Sequence, residues 1–200
     1  MIRNKFGSPH AAQPVAKRSD LFADVRLENQ FGDAFRFRTD LIQNRRVVLS
    51  SMYTVCRGSC PTTNETLQRL RGPLTKLFGK RVTLLSFTLD PVTDTVAALR
   101  EYSDLYGASD RAQGDQCDWY FLTGTAESIE TLRKSLGFFD LDQRIDSDLT
   151  RHASLYLIGN DEANRWGTSP SNLRDGLVFE TFRRLLGNTS RERFGIDIRG

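Results

Sequence analysis

The sequence of 200 residues predicts an α/β fold in which helices flank a central mixed β-sheet. Two observations predict this class. Short β-prone runs alternate with segments whose apolar residues recur at helical spacing, which is typical of α/β layers with some parallel pairing. Gly, Pro and Asn-Asp turn signals separate these runs. The apolar fraction of 38% suits one buried core at this length.

The first half of the chain carries β-structure followed by a long helix. Residues 22–41 alternate apolar and polar types around a Gly-Asp pair, which predicts an early hairpin. Residues 45–53 are β-prone and predict a central strand. Residues 61–78 predict a helix, since Pro61 suits a first turn and leucines recur at helical spacing; Gly72-Pro73 is expected to kink or split it.

Strands and helices continue to alternate in the second half. The predicted elements, in chain order, are a strand over 81–89 ended by Asp90-Pro91, a helix from Thr95 to about Tyr106 capped by Asp94, a strand over 119–124, a helix over 126–136 between Thr125 as cap and Gly137, a hairpin over 154–166 turning at Asn160-Asp161, and a helix opened by Pro170 and closed by Gly187.

This pattern divides the chain into a flexible leader over 1–20, a single domain over 21–187 and a polar tail over 188–200. A net charge of +3 with intermixed signs indicates a solvated surface and gives no argument for nucleic acid. No run of about eighteen apolar residues is present, and the leader lacks the apolar centre of a secretory signal, so no membrane anchor is visible.

The stretch YTVCRGSCP places Cys56 and Cys60 four positions apart, between the predicted central strand and the following helix. Four residues is about one helical turn, so in near-helical chain both sulfurs would point to one side, about 6 Å apart at Cα. The helix N-terminus and Arg57 favour the thiolate form, which both attacks disulfides and binds metals.

Several uses of this pair stay open at the level of the residues. A disulfide would close a very short loop and stabilise little, and the two thiols could also be inert and buried. Structural zinc normally shows a second cysteine pair, whereas Cys117 is a lone thiol in a polar loop and is expected to be a bystander. Cu(I) accepts low coordination by thiolate and imidazole. His10 lies in the leader, and His152 precedes a predicted strand, where a packing role is the ordinary alternative.

The motifs YTVCRGSCPTT, FTLDPVTDT, LTGTAESI and RHASLYLIG, in this order and spacing, resemble the Sco/SenC family over about residues 21–166. These are copper-binding proteins of the thioredoxin fold that take part in cytochrome c oxidase assembly. The resemblance implies that Cys56, Cys60 and His152 bind copper, and that Asp90 lies near the site. It also implies a membrane-tethered protein facing the periplasm or intermembrane space.

Three departures from the family pattern concern the histidine, the membrane anchor, which is not visible in this sequence, and the additional thiol. The family commonly has an Asp immediately before its ligand His, and this chain has Arg151; Asp146 or Asp148 could take over as acceptor for the imidazole. Cys117 is additional to the family pattern.

Three functions follow as hypotheses. The first is a copper metallochaperone that delivers copper to the CuA centre of cytochrome c oxidase subunit II, or reduces its cysteines. The second is a thiol–disulfide oxidoreductase in which Cys56 attacks a partner disulfide and Cys60 resolves the mixed disulfide. The third is an interaction module with an incidental thiol pair.

Overall fold

A computed structural model describes residues 16–55, 60–149 and 154–195, with Cys60 described by its backbone alone. Seven strands form one mixed sheet in the order β2-β1-β5-β4-β3-β6-β7. The strands are β1 Arg26–Asn29, β2 Ala34–Arg36, β3 Arg46–Met52, β4 Val82–Thr88, β5 Asp118–Thr123, β6 Leu155–Asn160 and β7 Arg165–Pro170.

The centre of the sheet is parallel and its edges are antiparallel. Strand β4 pairs in parallel with both β3 and β5, because a helix separates each of these strands from the next along the chain. Hairpins β1-β2 and β6-β7 add the outer strands, with β1 antiparallel to β5 and β6 antiparallel to β3. The carboxyl ends of β3, β4 and β5 therefore meet at one edge of the sheet.

Helices cover both faces of this sheet. They are α1 Cys60–Phe78, α2 Val96–Asp104, α3 Ala126–Leu136, α4 Gln143–Asp146, α5 Asp175–Leu186 and α6 Ser190–Phe194, together with short helices at Arg18–Leu21, Phe37–Ile42 and Gly79–Arg81. Helices α1, α2 and α5 bury leucines and aromatic residues against one face of the sheet. Helix α3 and the Phe37–Ile42 turn pack on the other face. The predicted layered α/β class and both hairpins are confirmed.

Two predicted helix starts were wrong. Helix α2 begins at Val96, and its cap is Thr95, whose hydroxyl accepts a hydrogen bond from the Ala98 N–H at 3.3 Å. The predicted cap, Asp94, turns its carboxylate into the protein. Helix α5 begins at Asp175 and not at Pro170. Pro170 is instead the last residue of β7, an edge strand in which its missing N–H costs no hydrogen bond of the ladder.

The predicted caps of α3 were correct. The Thr125 hydroxyl accepts from the Ser128 N–H at 3.1 Å, and Gly137 ends the helix with a φ of +84°. Helix α1 runs without interruption from Cys60 to Phe78 through Pro73, so the helix is not split at Gly72-Pro73.

The predicted leader and tail boundaries stay predictions, but regular structure extends past both. The Arg18–Leu21 helix contacts the body, where the Ser19 hydroxyl donates to the buried carboxylate of Asp161. Near the other end, α6 is closed by a capping box between Thr189 and Glu192.

Candidate metal centre

The predicted cysteine pair falls at the carboxyl end of β3. Strand β3 ends at Met52, the chain turns at Thr54 and Val55, and α1 begins at Cys60. This strand-to-helix junction at a sheet edge is where α/β proteins commonly carry chemistry. Cys56 and His152 lie outside the described residues, as does the side chain of Cys60, so their predicted roles as ligands stay predictions.

A buried carboxylate fixes the chain just before Cys56. Asp94 is fully buried, and both of its oxygens lie 3.2 Å from the backbone nitrogen of Thr54. The hydroxyls of Thr54 and Thr88 also donate to Asp94. Three donors from two strand ends therefore converge on one carboxylate, which ties the residue two positions before Cys56 to the end of β4.

Asp90 lies in the turn that the same network supports. Its N–H donates to the Thr88 hydroxyl at 2.9 Å, and its carbonyl accepts from the Asp94 N–H at 2.9 Å. One oxygen of its own carboxylate accepts from the Thr93 N–H at 3.3 Å. Asp90 is thus held by the network that holds Thr54, at the edge where β3 and β4 end.

A second network joins the chain after Cys60 to the chain after His152. The Tyr156 hydroxyl donates to the carbonyl of Thr63, in the first turns of α1, at 2.8 Å. The hydroxyl of Thr63 lies 3.0 Å from that of Ser171, whose N–H donates to the carbonyl of Ser154 at 3.0 Å. Residues three after Cys60 and two after His152 therefore belong to one hydrogen-bonded cluster.

Within residues 16–55, 60–149 and 154–195, no three His, Cys, Asp or Glu side chains are grouped in a way that could hold a metal ion. The predicted ligands are not among those side chains. The metal hypothesis therefore depends on the described residues that flank the ligands.

Asp146 is engaged elsewhere. Its two oxygens accept from the Arg133 guanidinium at 2.6 and 2.7 Å, and one of them also accepts from the Asp140 N–H at 2.9 Å. The Arg133 guanidinium holds the pKa of Asp146 at about 2. Asp146 thus holds the loop between α3 and α4 in place, and this engagement disfavours it as the acceptor for the His152 imidazole; the role predicted for Asp148 stays a prediction.

Cys117 is part of the core, although the sequence placed it in a polar loop. Its side chain is fully buried against α1, where the Thr75 hydroxyl donates to the sulfur at 3.4 Å. Burial raises the pKa of this thiol, so it stays protonated at neutral pH. A buried, protonated thiol fits the predicted bystander role.

Alkylation of the reduced chain at pH 8 is expected to label two thiols rapidly and the third only after unfolding. The slow thiol should be absent from Cys117→Ser, because the side chain of Cys117 is fully buried and its pKa is raised. Mass spectrometry of a labelling time course measures this. Three thiols that react at one rate would contradict the assignment.

The fold and the sheet edge define a class: a thioredoxin-like α/β protein with its cysteine pair between a strand and the helix that follows. The SCO1/SenC family model matches residues 15–186. The chain belongs to the SCO1/SenC family.

Individual relatives agree with this membership. The chain is 28% identical over 153 residues to a Stutzerimonas stutzeri protein whose name refers to copper binding. The matched region covers 75% of this chain and 68% of that protein. A SCO1/SenC family lipoprotein from Bacillus anthracis is similar in structure, with a TM-score of 0.63 and 19% identity, covering 82% of this chain and 94% of the other. Yeast Sco1 with copper bound has a TM-score of 0.59 and 18% identity, covering 78% and 85%.

The role of Asp94 at this edge of the sheet was not predicted from the sequence. Asp94 was interpreted as a helix cap, since Asp before a helix is usually one. The sequence contains no sign that its carboxylate meets Thr54, forty positions upstream.

Proposed function

We propose that the protein binds copper through the thiolates of Cys56 and Cys60 and the imidazole of His152. The observation that carries the proposal is the pair of networks at one sheet edge, which links residues flanking all three predicted ligands: Thr54 to Asp94, and Thr63 to Ser154 through Ser171. Two soft sulfurs and one imidazole suit Cu(I) better than structural zinc, which takes four ligands.

The described residues would orient this donor set. Asp94 fixes the chain that leads into Cys56, and α1 starts at Cys60 with its partly positive end, which favours a thiolate there. Tyr156 and Ser171 hold the start of β6 against α1. These contacts would hold the three ligands near one another at this edge of the sheet.

The recipient that the family resemblance implies is the CuA centre of cytochrome c oxidase, reached on the periplasmic or intermembrane side of a membrane. No helix among the described residues is both long enough and apolar enough to cross a bilayer. Val55 and Val92, the exposed apolar residues beside Thr54 and Asp90, offer contact area for a docking partner.

A second candidate is thiol–disulfide exchange by the same cysteines. It is favoured by the position of Cys60 as the first residue of the 19-residue helix α1, because a helix N-terminus stabilises thiolate. In this function Cys56 attacks a partner disulfide, and Cys60 then displaces the partner from the mixed disulfide. The exchange ends with a Cys56–Cys60 disulfide in this protein and two thiols in the partner.

His152→Ala separates the two functions. We expect wild type to bind one Cu(I) under reducing conditions, and the variant to bind it at least about a hundredfold more weakly, about 3 kcal/mol. His10→Ala, which removes the other histidine, is the matched control and should bind like wild type. Native mass spectrometry and competition with a chelator measure both.

Unchanged copper affinity in His152→Ala would refute the three-ligand site. If the oxidoreductase function is the real one, His152→Ala keeps full disulfide-reducing activity and Cys60→Ser traps a covalent complex with the partner through Cys56.

A further inference from the structure

A basic cleft lies at the end of the sheet opposite the cysteine pair, where the parallel strands β3 and β4 begin. Arg46 opens β3 and pairs with Val82 in the ladder, so the Lys80–Arg81 turn lies alongside it. The cleft has a volume of about 210 Å³. Its charged and amide lining consists of Arg45, Arg46, Lys80, Arg81, Asn44 and Glu162.

A nitrogen of the buried Arg46 guanidinium in this cleft makes no hydrogen bond. The residue is 8% exposed, and its Nη1 makes no hydrogen bond within the part of the chain that the structure describes. Its ion pair with Oε1 of Glu192 is long, at 3.6 Å, beyond a normal hydrogen bond, and the guanidinium carbon lies 5.8 Å from the centre of the Phe78 ring. A buried charged donor without a hydrogen bond is costly, and an oxyanion in the cleft would provide an acceptor.

Glu192 is already used by other groups. Its Oε1 accepts from Arg81 Nη1 at 2.8 Å, and its Oε2 accepts from the N–H groups of Asn188 and Thr189 at 2.7 and 3.3 Å. With Glu162 as the other acid at the cleft, four cationic side chains face two carboxylates, which leaves two positive charges unbalanced.

A further arginine, Arg165, lies near the cleft. Arg165 donates to the carbonyls of Leu185 and Gly187 at the end of α5. Burial lowers the pKa of Arg165, and the nearby guanidinium groups of Arg193 and Arg46 lower it further. Arg165, Arg193 and Arg46 therefore lie close enough for their charges to repel one another.

We propose that this cleft binds a phosphate group. Arginine presents planar N–H forks that match phosphate oxygens, and a phosphate monoester carries a charge close to −2, which balances the excess in the cleft. The phosphate group could belong to a soluble compound or to a lipid headgroup. The site needs neither copper nor the cysteine pair.

The test compares two double variants of the full chain. Arg45 and Lys80 are exposed and make no ion pair among the described residues, so R45Q/K80Q removes charge without removing internal contacts. The matched control R26Q/R100Q removes two exposed charges on β1 and α2, which do not line the cleft. The probes are inorganic phosphate, measured by calorimetry against chloride at equal ionic strength, and phosphatidylcholine vesicles with or without a quarter phosphatidic acid, a lipid whose headgroup is a phosphate monoester.

Phosphate is expected to bind wild type and the control alike, within about twofold, and R45Q/K80Q at least about tenfold more weakly. Phosphate binding with no preference for the anionic vesicles assigns the site to a soluble phosphate compound. Preference for those vesicles, competed by phosphate and lost in R45Q/K80Q, assigns it to a headgroup. Absence of both interactions in wild type, or R45Q/K80Q binding like wild type, overturns the proposal.

Discussion

Cys60→Ser is expected to lose copper affinity by at least about a thousandfold, about 4 kcal/mol. A serine hydroxyl stays protonated at neutral pH and is a hard donor, whereas Cu(I) selects soft thiolates. The position strengthens the effect, because Cys60 is the first residue of α1, where the helix favours the charged sulfur. Cys56→Ser should also lose most of its copper affinity, since it too leaves a single sulfur.

Cys117→Ser is the matched control for these variants. Its sulfur is buried against α1, so this change should lower stability and leave copper affinity unchanged. Competition with a Cu(I) chelator under reducing conditions measures all three variants. If Cys60→Ser bound copper like wild type, or Cys117→Ser lost it, the cysteine pair would not be the copper site.

Asp94→Ala is expected to destabilise the apo-protein by about 3 to 5 kcal/mol, because it leaves buried donors without an acceptor. The N–H and hydroxyl of Thr54 and the hydroxyl of Thr88 all donate to this carboxylate. Asp94→Asn should lose less, since the amide oxygen still accepts. Urea unfolding of the reduced chain measures both, and Asp110→Ala, at an exposed aspartate, should stay within about 0.5 kcal/mol of wild type.

Asp94→Asn also tests whether the Asp94 carboxylate positions the predicted copper site. Thr54 lies two residues before Cys56, so losing its anchor should weaken copper binding in Asp94→Asn even though all three predicted ligands remain. Asp94→Asn with wild-type stability and wild-type copper affinity would show that Asp94 fixes neither the fold nor the loop.

The sequence predicted the elements whose signals are local. The periodic leucines of α1, the Thr125 cap and the Gly137 stop depend on neighbours within a few positions, and the structure confirms them. Pro170 misled because its fixed φ suits a strand edge as well as a first helical turn. The Thr189–Glu192 capping box has the local Thr-x-x-Glu pattern of a helix start, but it lies in the segment that the sequence analysis interpreted as a polar tail.

Sites assembled from distant segments were predicted less well. Spacing alone indicated a thiolate pair, and the family resemblance added His152 and Asp90. The carboxylate of Asp94 and the basic cleft were missed, because each joins residues that only the sheet brings together. In the sequence, Arg45 and Lys80 are 35 positions apart and lie among mixed charges, which predicted a solvated surface.

X-ray absorption of the Cu(I)-loaded full chain tests the copper site most directly. The proposed ligands predict a first coordination shell of two sulfurs and one nitrogen, with the nitrogen showing the outer-shell scattering of an imidazole ring. In His152→Ala the imidazole signal should disappear. A shell of sulfur alone in wild type, or one without sulfur, would contradict a site built from Cys56, Cys60 and His152.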